Sequence, residues 1–263
     1  MNAKKRIAAA VAAACLWAAP ARPFAEPAAW DRGASEKLLR TAPVAAVSKT
    51  SEAGRTAPWI VSLESAGEGR VRAVFKHMDR RRPSPQAASW RYEIAAYKLA
   101  DLLGLDIIPP TVERSVEGVP GALQLFVENA LSERDRERLD LPSPDETAFR
   151  RALDEIRVFE ILTGAACGDK DDTLIHKPTW KVCRVDFSEA FPADPALEVD
   201  CPLERCPRRL YERMLRTARS MVEPTIKPYL SDSEINSLCE RKKRVVSRLQ
   251  QLMKEKGERA VLF

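Results

Sequence analysis

The stretch from Cys167 to Phe191, CGDKDDTLIHKPTWKVCRVDFSEAF, constrains the fold of this chain more than any other. Two short strand-like runs, Thr173 to His176 and Lys181 to Val185, flank Lys177-Pro178-Thr179, which is the signal of an antiparallel hairpin. Pairing Ile175 with Lys181 sets Asp186 across from Lys170 and beside Asp172. Opposed Cβ atoms in such a ladder lie ~5 Å apart, so Asp169, Asp172 and Asp186 are expected to crowd one end of the hairpin. Carboxylates that close repel one another unless a cation neutralises them. An all-oxygen donor set of this kind suits Mg²⁺ or Mn²⁺. The competing reading is an acidic surface turn.

The N-terminus reads as an export leader. Lys4-Lys5-Arg6 precedes an apolar run from Ile7 to Ala19, and small residues at Ala19-Pro20-Ala21 or Pro23-Phe24-Ala25 offer cleavage sites. The apolar run is too short for a membrane span, and no other stretch is long or apolar enough for one. Lipoprotein attachment at Cys15 ranks second, because Ala12 stands where a larger aliphatic residue is expected. Loss of residues 1–25 removes Lys4, Lys5, Arg6 and Arg22 and no acid, so the formal charge of +5 belongs mostly to the leader. A nearly neutral remainder gives no electrostatic case for nucleic acid as a partner. Exported thiols meet oxidant, and Cys201 with Cys206, or Cys167 with Cys183, are the candidate disulfides. Zinc is disfavoured, since His77 and His176 are isolated and no CxxC pair is present.

Along the chain, Ser35 to Arg40 reads as one helical turn. Ser48 to Pro58 reads as a small-residue loop in which Gly54 and Thr56 could let backbone N–H groups approach a phosphate, an ordinary linker being the competing reading. Trp59 to Leu63 and Val71 to Lys76 form a hairpin around Ala66-Gly67-Glu68-Gly69. Ser89 to Leu103 is helical by spacing and closes at Gly104. Glu93 falls on the apolar stripe of that helix, where an unpaired carboxylate would cost roughly 3–5 kcal/mol. Lys76 is the economical partner. Thr111 to Val116 and Gly121 to Val127 read as strands, and Leu131 to Leu141 as a charged surface segment. Ser143-Pro144-Asp145-Glu146 is a capping pattern for a helix with Phe149, Ala152, Ile156, Phe159 and Leu162 on one face. Leu210 to Met221 and Ser231 to Met253 read as amphipathic helices, with Arg80-Arg81-Arg82 and Arg241-Lys242-Lys243-Arg244 as solvated charge runs.

Four segments in order carry a resemblance: FKHMD, WRYEIAAYKLADLLGL, IPPTVERSVEGVPGALQLFVENA and GDKDD-TLI…KVCRVDFSEAF. They resemble the atypical branch of the protein-kinase-like superfamily that holds the secretory-pathway (Golgi) casein kinases, four-jointed and their small bacterial relatives. The likeness runs from about Leu38 to Phe191. It implies an α+β, two-lobed protein-kinase-like fold, with an N-lobe at about 36–128 and a C-lobe at about 129–263. It also implies ATP with Mg²⁺ or Mn²⁺, and a hydroxyl acceptor on a protein, sugar or lipid. Asp169 and Lys170 would begin the catalytic loop, and Asp186 and Asp172 would hold the metal. Lys76 would contact phosphates and pair with Glu93, Gly54 and Thr56 would lie in the nucleotide-covering loop, and Phe126 and Val127 in the adenine-facing hinge. Three departures bear on activity. Gly168 stands where Asn is frequent, Lys170 replaces an Arg, and the loop to Asp172 is about two residues short. A nucleotide-binding pseudokinase or scaffold is therefore the alternative, and a purely structural exported domain the third reading.

Overall fold

The computed structural model describes residues 31–49, 57–65, 69–82, 87–197 and 201–263. The expected leader, Gly54 and Thr56 lie outside the described residues. The fold is α+β and two-lobed, as the sequence leads one to expect.

The first lobe opens with α1 (Arg32–Thr41), longer than the single turn expected because the Asp31 side chain caps it by accepting from the Ala34 amide. Three strands follow, β1 (Val44–Lys49), β2 (Trp59–Ser65) and β3 (Gly69–Lys76). Nothing in the sequence pattern marks β1. Its alanines have poor strand propensity, and antiparallel pairing to β2 holds it, with an irregularity between Val44 and Ala46. The short β4 (Asp79–Arg80) and β5 (Ala88–Ser89) pair with each other and lead into α2 (Trp90–Leu102), capped by Ser89. Then β6 (Thr111–Val116) and β7 (Val119–Leu125) complete a five-stranded antiparallel sheet of order β1-β2-β3-β7-β6. Val61, Leu63, Ala73, Phe75 and Leu123 of this sheet pack with Leu39 of α1 in a core of their own.

The second lobe begins with β8 (Ala130–Ser132) and α3 (Glu133–Arg138), where the sequence suggests only a charged surface segment. The strand forms because the hairpin between Thr173 and Arg184 offers it an edge, and Glu133 is buried against Arg136. The long α4 (Glu146–Thr163) is capped by Asp145 rather than Ser143, while Glu146 accepts from the Ser143 amide. The hairpin is β9 (Thr173–His176) and β10 (Lys181–Arg184), the centre of a sheet of order β10-β9-β8. The expected helix from Leu210 to Met221 is broken into α5 (Arg208–Arg216) and α6 (Arg219–Ile226). Thr217 is extended at the break, with its hydroxyl on the Arg213 carbonyl. Finally α7 (Asp232–Lys256) starts with the capping box of Ser231 and Glu234, and α8 (Glu258–Val261) closes the chain.

Arg241 is not on a solvated face. It is buried and donates to the carbonyls of Leu162, Pro192 and Asp194, so it staples α7 to the end of α4. The disulfide also differs from both candidates, since Cys167 is bonded to Cys201. Cys183 is buried in β10 opposite Leu174. Cys206 is held by backbone bonds to Val261 and Phe263. No helix among the described residues is long and apolar enough to cross a membrane.

Most of the apolar surface of α2 belongs to the core of the helical lobe. Trp90, Tyr92 and Ile94 cluster with Phe159, Phe187, Phe191 and Leu238. The helix that carries Glu93 is thereby seated on both lobes.

Candidate active site

Lys76 is the last residue of β3, on the face opposite Val71, Ala73 and Phe75, because side chains alternate along a strand. The core packing of Phe75 therefore turns Lys76 to the other face of the sheet. Glu93 projects from the first turn of α2, and Asp186 follows the end of β10. The three meet. Lys76 Nζ donates to Glu93 Oε1 at 2.6 Å and to Asp186 Oδ1 at 2.9 Å. Glu93 Oε1 also accepts from the Phe187 amide at 3.1 Å, while its buried Oε2 has no hydrogen-bond partner. Asp186 accepts from the Ser188 hydroxyl at 2.7 Å and sits at φ 62°, a left-handed conformation that a non-glycine residue rarely adopts.

Burial works against the Lys76 charge, but Glu93 and Asp186 outweigh it and hold its pKa above the ordinary lysine value. Burial also opposes ionisation of Asp186, yet Lys76 and Ser188 hold that carboxyl well below the usual range. The Glu93 carboxyl is pushed up by burial against the pull of Lys76. Asp172 is pushed up to about 6 by burial; Arg184 opposes the rise, and the nearby charges of Asp186 and Asp169 add to it.

The hairpin register is one residue off the expected pairing. Lys181 faces His176, and Ile175 faces Val182. The turn holds four residues rather than three because Trp180, at φ 56°, belongs to it. The Val185 amide accordingly donates to the Asp172 carbonyl, which carries Asp172 up beside Asp186. Asp169 does not join them in one cluster. Its Oδ1 accepts from the Asp171 amide at 2.9 Å, and its carbonyl takes the Thr173 hydroxyl. Among the described residues no group of three or more acidic, histidine or cysteine side chains is close enough to hold a metal, so the expected three-acid cluster is corrected to the pair Asp172 and Asp186. That pair still fits a divalent cation of the Mg²⁺ type, which is ordinarily held by one or two carboxylates plus substrate phosphates rather than by an all-protein cage. A crowded, desolvated carboxyl at Asp172 and an unpartnered acceptor on Glu93 are the features such a cation would relieve.

Lys170 follows Asp169 in the loop, but its ammonium is on Glu137 of α3 at 2.6 and 2.7 Å, at the exposed rim. Phe126 is half-buried rather than a core residue. The Arg72 guanidinium lies 4.1 Å from its ring centre and forms an ion pair with Glu128. Val127 beside it is buried, and the Phe126 amide donates to the Arg72 carbonyl at 3.1 Å.

The sequence reading misses Glu160 and Arg184, which hold the loop from Gly168 to Asp172. Arg184 Nε donates to Glu160 Oε1 at 2.7 Å, and Glu160 Oε2 accepts from the Gly168 amide at 2.9 Å. Arg184 also reaches Asp172 at 3.2 Å. The signal is the one that singles out Glu93. Glu160 lies one turn from Ile156 on the apolar stripe of α4, so it too demands a buried cation.

The same two-lobed fold recurs in two solved proteins. One is a Fam20 protein of hydra, solved with sugar, at 17% sequence identity and TM-score 0.65, covering 86% of this chain and 90% of that one. The other is CtkA, a proinflammatory kinase of Helicobacter pylori, at 10% identity and TM-score 0.50, covering 83% of this chain and 97% of that one. No protein-family model and no curated protein matches the chain. At these identities the likeness is one of fold.

Proposed function

We propose that the chain is an exported phosphotransferase that moves the γ-phosphoryl group of ATP to a hydroxyl of a protein, sugar or lipid. One observation carries the reading: Lys76 from the strand lobe contacts both Glu93 of α2 and Asp186, which follows β10. Phosphoryl transfer asks a protein mainly for positioning and charge neutralisation, and this constellation supplies both. Lys76 binds the phosphates, and Glu93 fixes the ammonium. Asp186 and Asp172 hold Mg²⁺ or Mn²⁺, which when bound neutralises charge on the phosphate oxygens. Asp169 orients the acceptor hydroxyl and takes its proton, a role worth roughly 10²–10⁴ in rate. Gly54 and Thr56 cover the phosphates, and Phe126 and Val127 border the adenine. The lobes divide at about residue 128. Export is supported by the leader-like N-terminus and by the Cys167–Cys201 bond, since such bonds persist in oxidising compartments.

A nucleotide-binding pseudokinase is the second reading, favoured by the engagement of Lys170 with Glu137. Purified protein with Mn²⁺ or Mg²⁺ and γ-labelled ATP separates the two. The expected result is label transfer to acceptors in an envelope extract or to the chain itself. Asp186→Ala and Asp169→Asn should each lower it by about 10²-fold or more. A nucleotide-induced thermal shift without transfer would make the chain a binder, and no shift at all a structural domain.

A further inference from the structure

Arg82 reads in the sequence as part of a solvated triplet with Arg80 and Arg81, yet it reaches across the molecule. Its Nη1 donates to the carbonyls of Ala190 at 3.1 Å and Phe191 at 2.9 Å, and its Nη2 to that of Glu189 at 2.9 Å. It also lies 3.4 Å from Glu234 Oε1 on α7 and 5.3 Å from the ring centre of Tyr92 on α2. The Tyr92 hydroxyl donates to the same Glu234 oxygen at 2.5 Å.

These carbonyls belong to the segment that begins with Asp186. Both ends of that segment are left-handed at non-glycine residues, Asp186 at φ 62° and Phe191 at φ 59°. Such conformations persist only where the surroundings enforce them. Two further bonds tie the segment to α2: the Ser89 amide donates to the Ser188 carbonyl at 2.8 Å, and the Phe187 amide to Glu93 at 3.1 Å. Arg82 is the one side chain among these contacts that holds the segment, α2 and α7 together.

We propose that Arg82 is a positioning residue for the phosphate and metal site. By gripping three consecutive carbonyls it keeps Asp186 and Glu93 in register on Lys76, without contacting nucleotide itself. The planar fork is essential, because five fixed donors can span neighbouring carbonyls while a lysine ammonium is a single point. The site is therefore assembled by contacts internal to the chain, with the Glu93 helix docked before any ligand arrives. The role assigned to the site rests on the phosphotransferase reading, but the coupling can be tested apart from it.

The experiment compares wild type, Arg82→Lys and, as a milder variant that keeps the aromatic packing, Tyr92→Phe. Amide hydrogen exchange is measured on the ligand-free proteins, and the Mn²⁺ concentration giving a half-maximal ATP-induced thermal shift is titrated on each. In Arg82→Lys the Ser89 and Phe187 amides should exchange at least about tenfold faster while amides in the middle of α4 keep their protection. The Mn²⁺ requirement should rise about tenfold. Tyr92→Phe should move both in the same direction by less. Unchanged exchange at Ser89 and Phe187 in both variants overturns the proposal. So does a lower melting temperature with the Mn²⁺ requirement unchanged, which would mark Arg82 as merely structural. If wild type shows no ATP shift at all, the nucleotide reading falls with its metal role for Arg82, and the exchange data alone decide whether the segment is held by this side chain.

Discussion

At the scale of single residues, buried charge decides what this molecule tolerates. Arg184 and Glu160 are each 1% exposed and 2.7 Å apart. Removing one partner strands the other, which costs about 3–5 kcal/mol. Arg184→Leu should accordingly lower the urea midpoint by an amount corresponding to that range. Glu160→Gln, which keeps an acceptor for the Gly168 amide, should cost less. The thiols divide as sharply. Burial pushes Cys183 and Cys206 up to about 12, whereas Cys239 is only half-buried. Of the described free thiols, iodoacetamide at pH 8 should label Cys239 in the native protein, and Cys183 and Cys206 only after unfolding, as read by peptide mass mapping. The same scale shows where sequence reasoning runs out. Glu93 is legible because a carboxylate on an apolar stripe announces its need for a cation. Arg82 and Arg241 are not, because their partners are backbone carbonyls more than forty residues away, and a carbonyl leaves no trace in residue type.

At the scale of elements, the site depends on how closely β3 and β7 approach. A Cβ at Gly121 would overlap the Lys76 carbonyl oxygen and come within 2.6 Å of the Phe75 ring. Gly121→Ala should therefore push β7 off β3, destabilise by about 1–3 kcal/mol and weaken nucleotide binding by displacing Lys76. Calorimetry and a nucleotide titration on one sample would check both. Strands and helices with a clear period are legible from composition alone, and so is the capping box at Ser231. Two elements are not. The alanines of β1 and the polar residues of β8 become strands only because a neighbour offers an edge. The register of the β9–β10 hairpin depends on one left-handed residue, Trp180, and a tryptophan gives no cue for that conformation.

At the scale of the whole molecule, the bond from Cys167 to Cys201 closes a 34-residue separation that includes the Asp169 loop and the hairpin. Loop-closure entropy for a ring of that size is worth about 3–4 kcal/mol. Cys201→Ser should lower the melting temperature and loosen the loop around Asp169, measured by calorimetry and by exchange at the Gly168 amide. The pairing itself is beyond reach of the sequence, since proximity along the chain favours Cys201 with Cys206 and Cys167 with Cys183, whereas Cys183 is buried in β10 and Cys206 is bound to the backbone of Val261 and Phe263. The strand lobe and the helical lobe are nonetheless legible as a pair, because the apolar periods of α2 and α4 and the hairpin at Cys167–Phe191 each fix a separate part of the cleft.

One consequence follows from the way β8 is zipped to β9. Ala130 faces His176, and the Lys177 amide donates to the Asn129 carbonyl. On the other side, the Phe126 amide is tied to Arg72 of β3. The connecting backbone is thus tied to the five-stranded sheet at Phe126 and to the hairpin at Asn129. Val127 and Glu128 are the joint between these two tethers, and the Arg72 ion pair with Glu128 fastens that joint to the strand side.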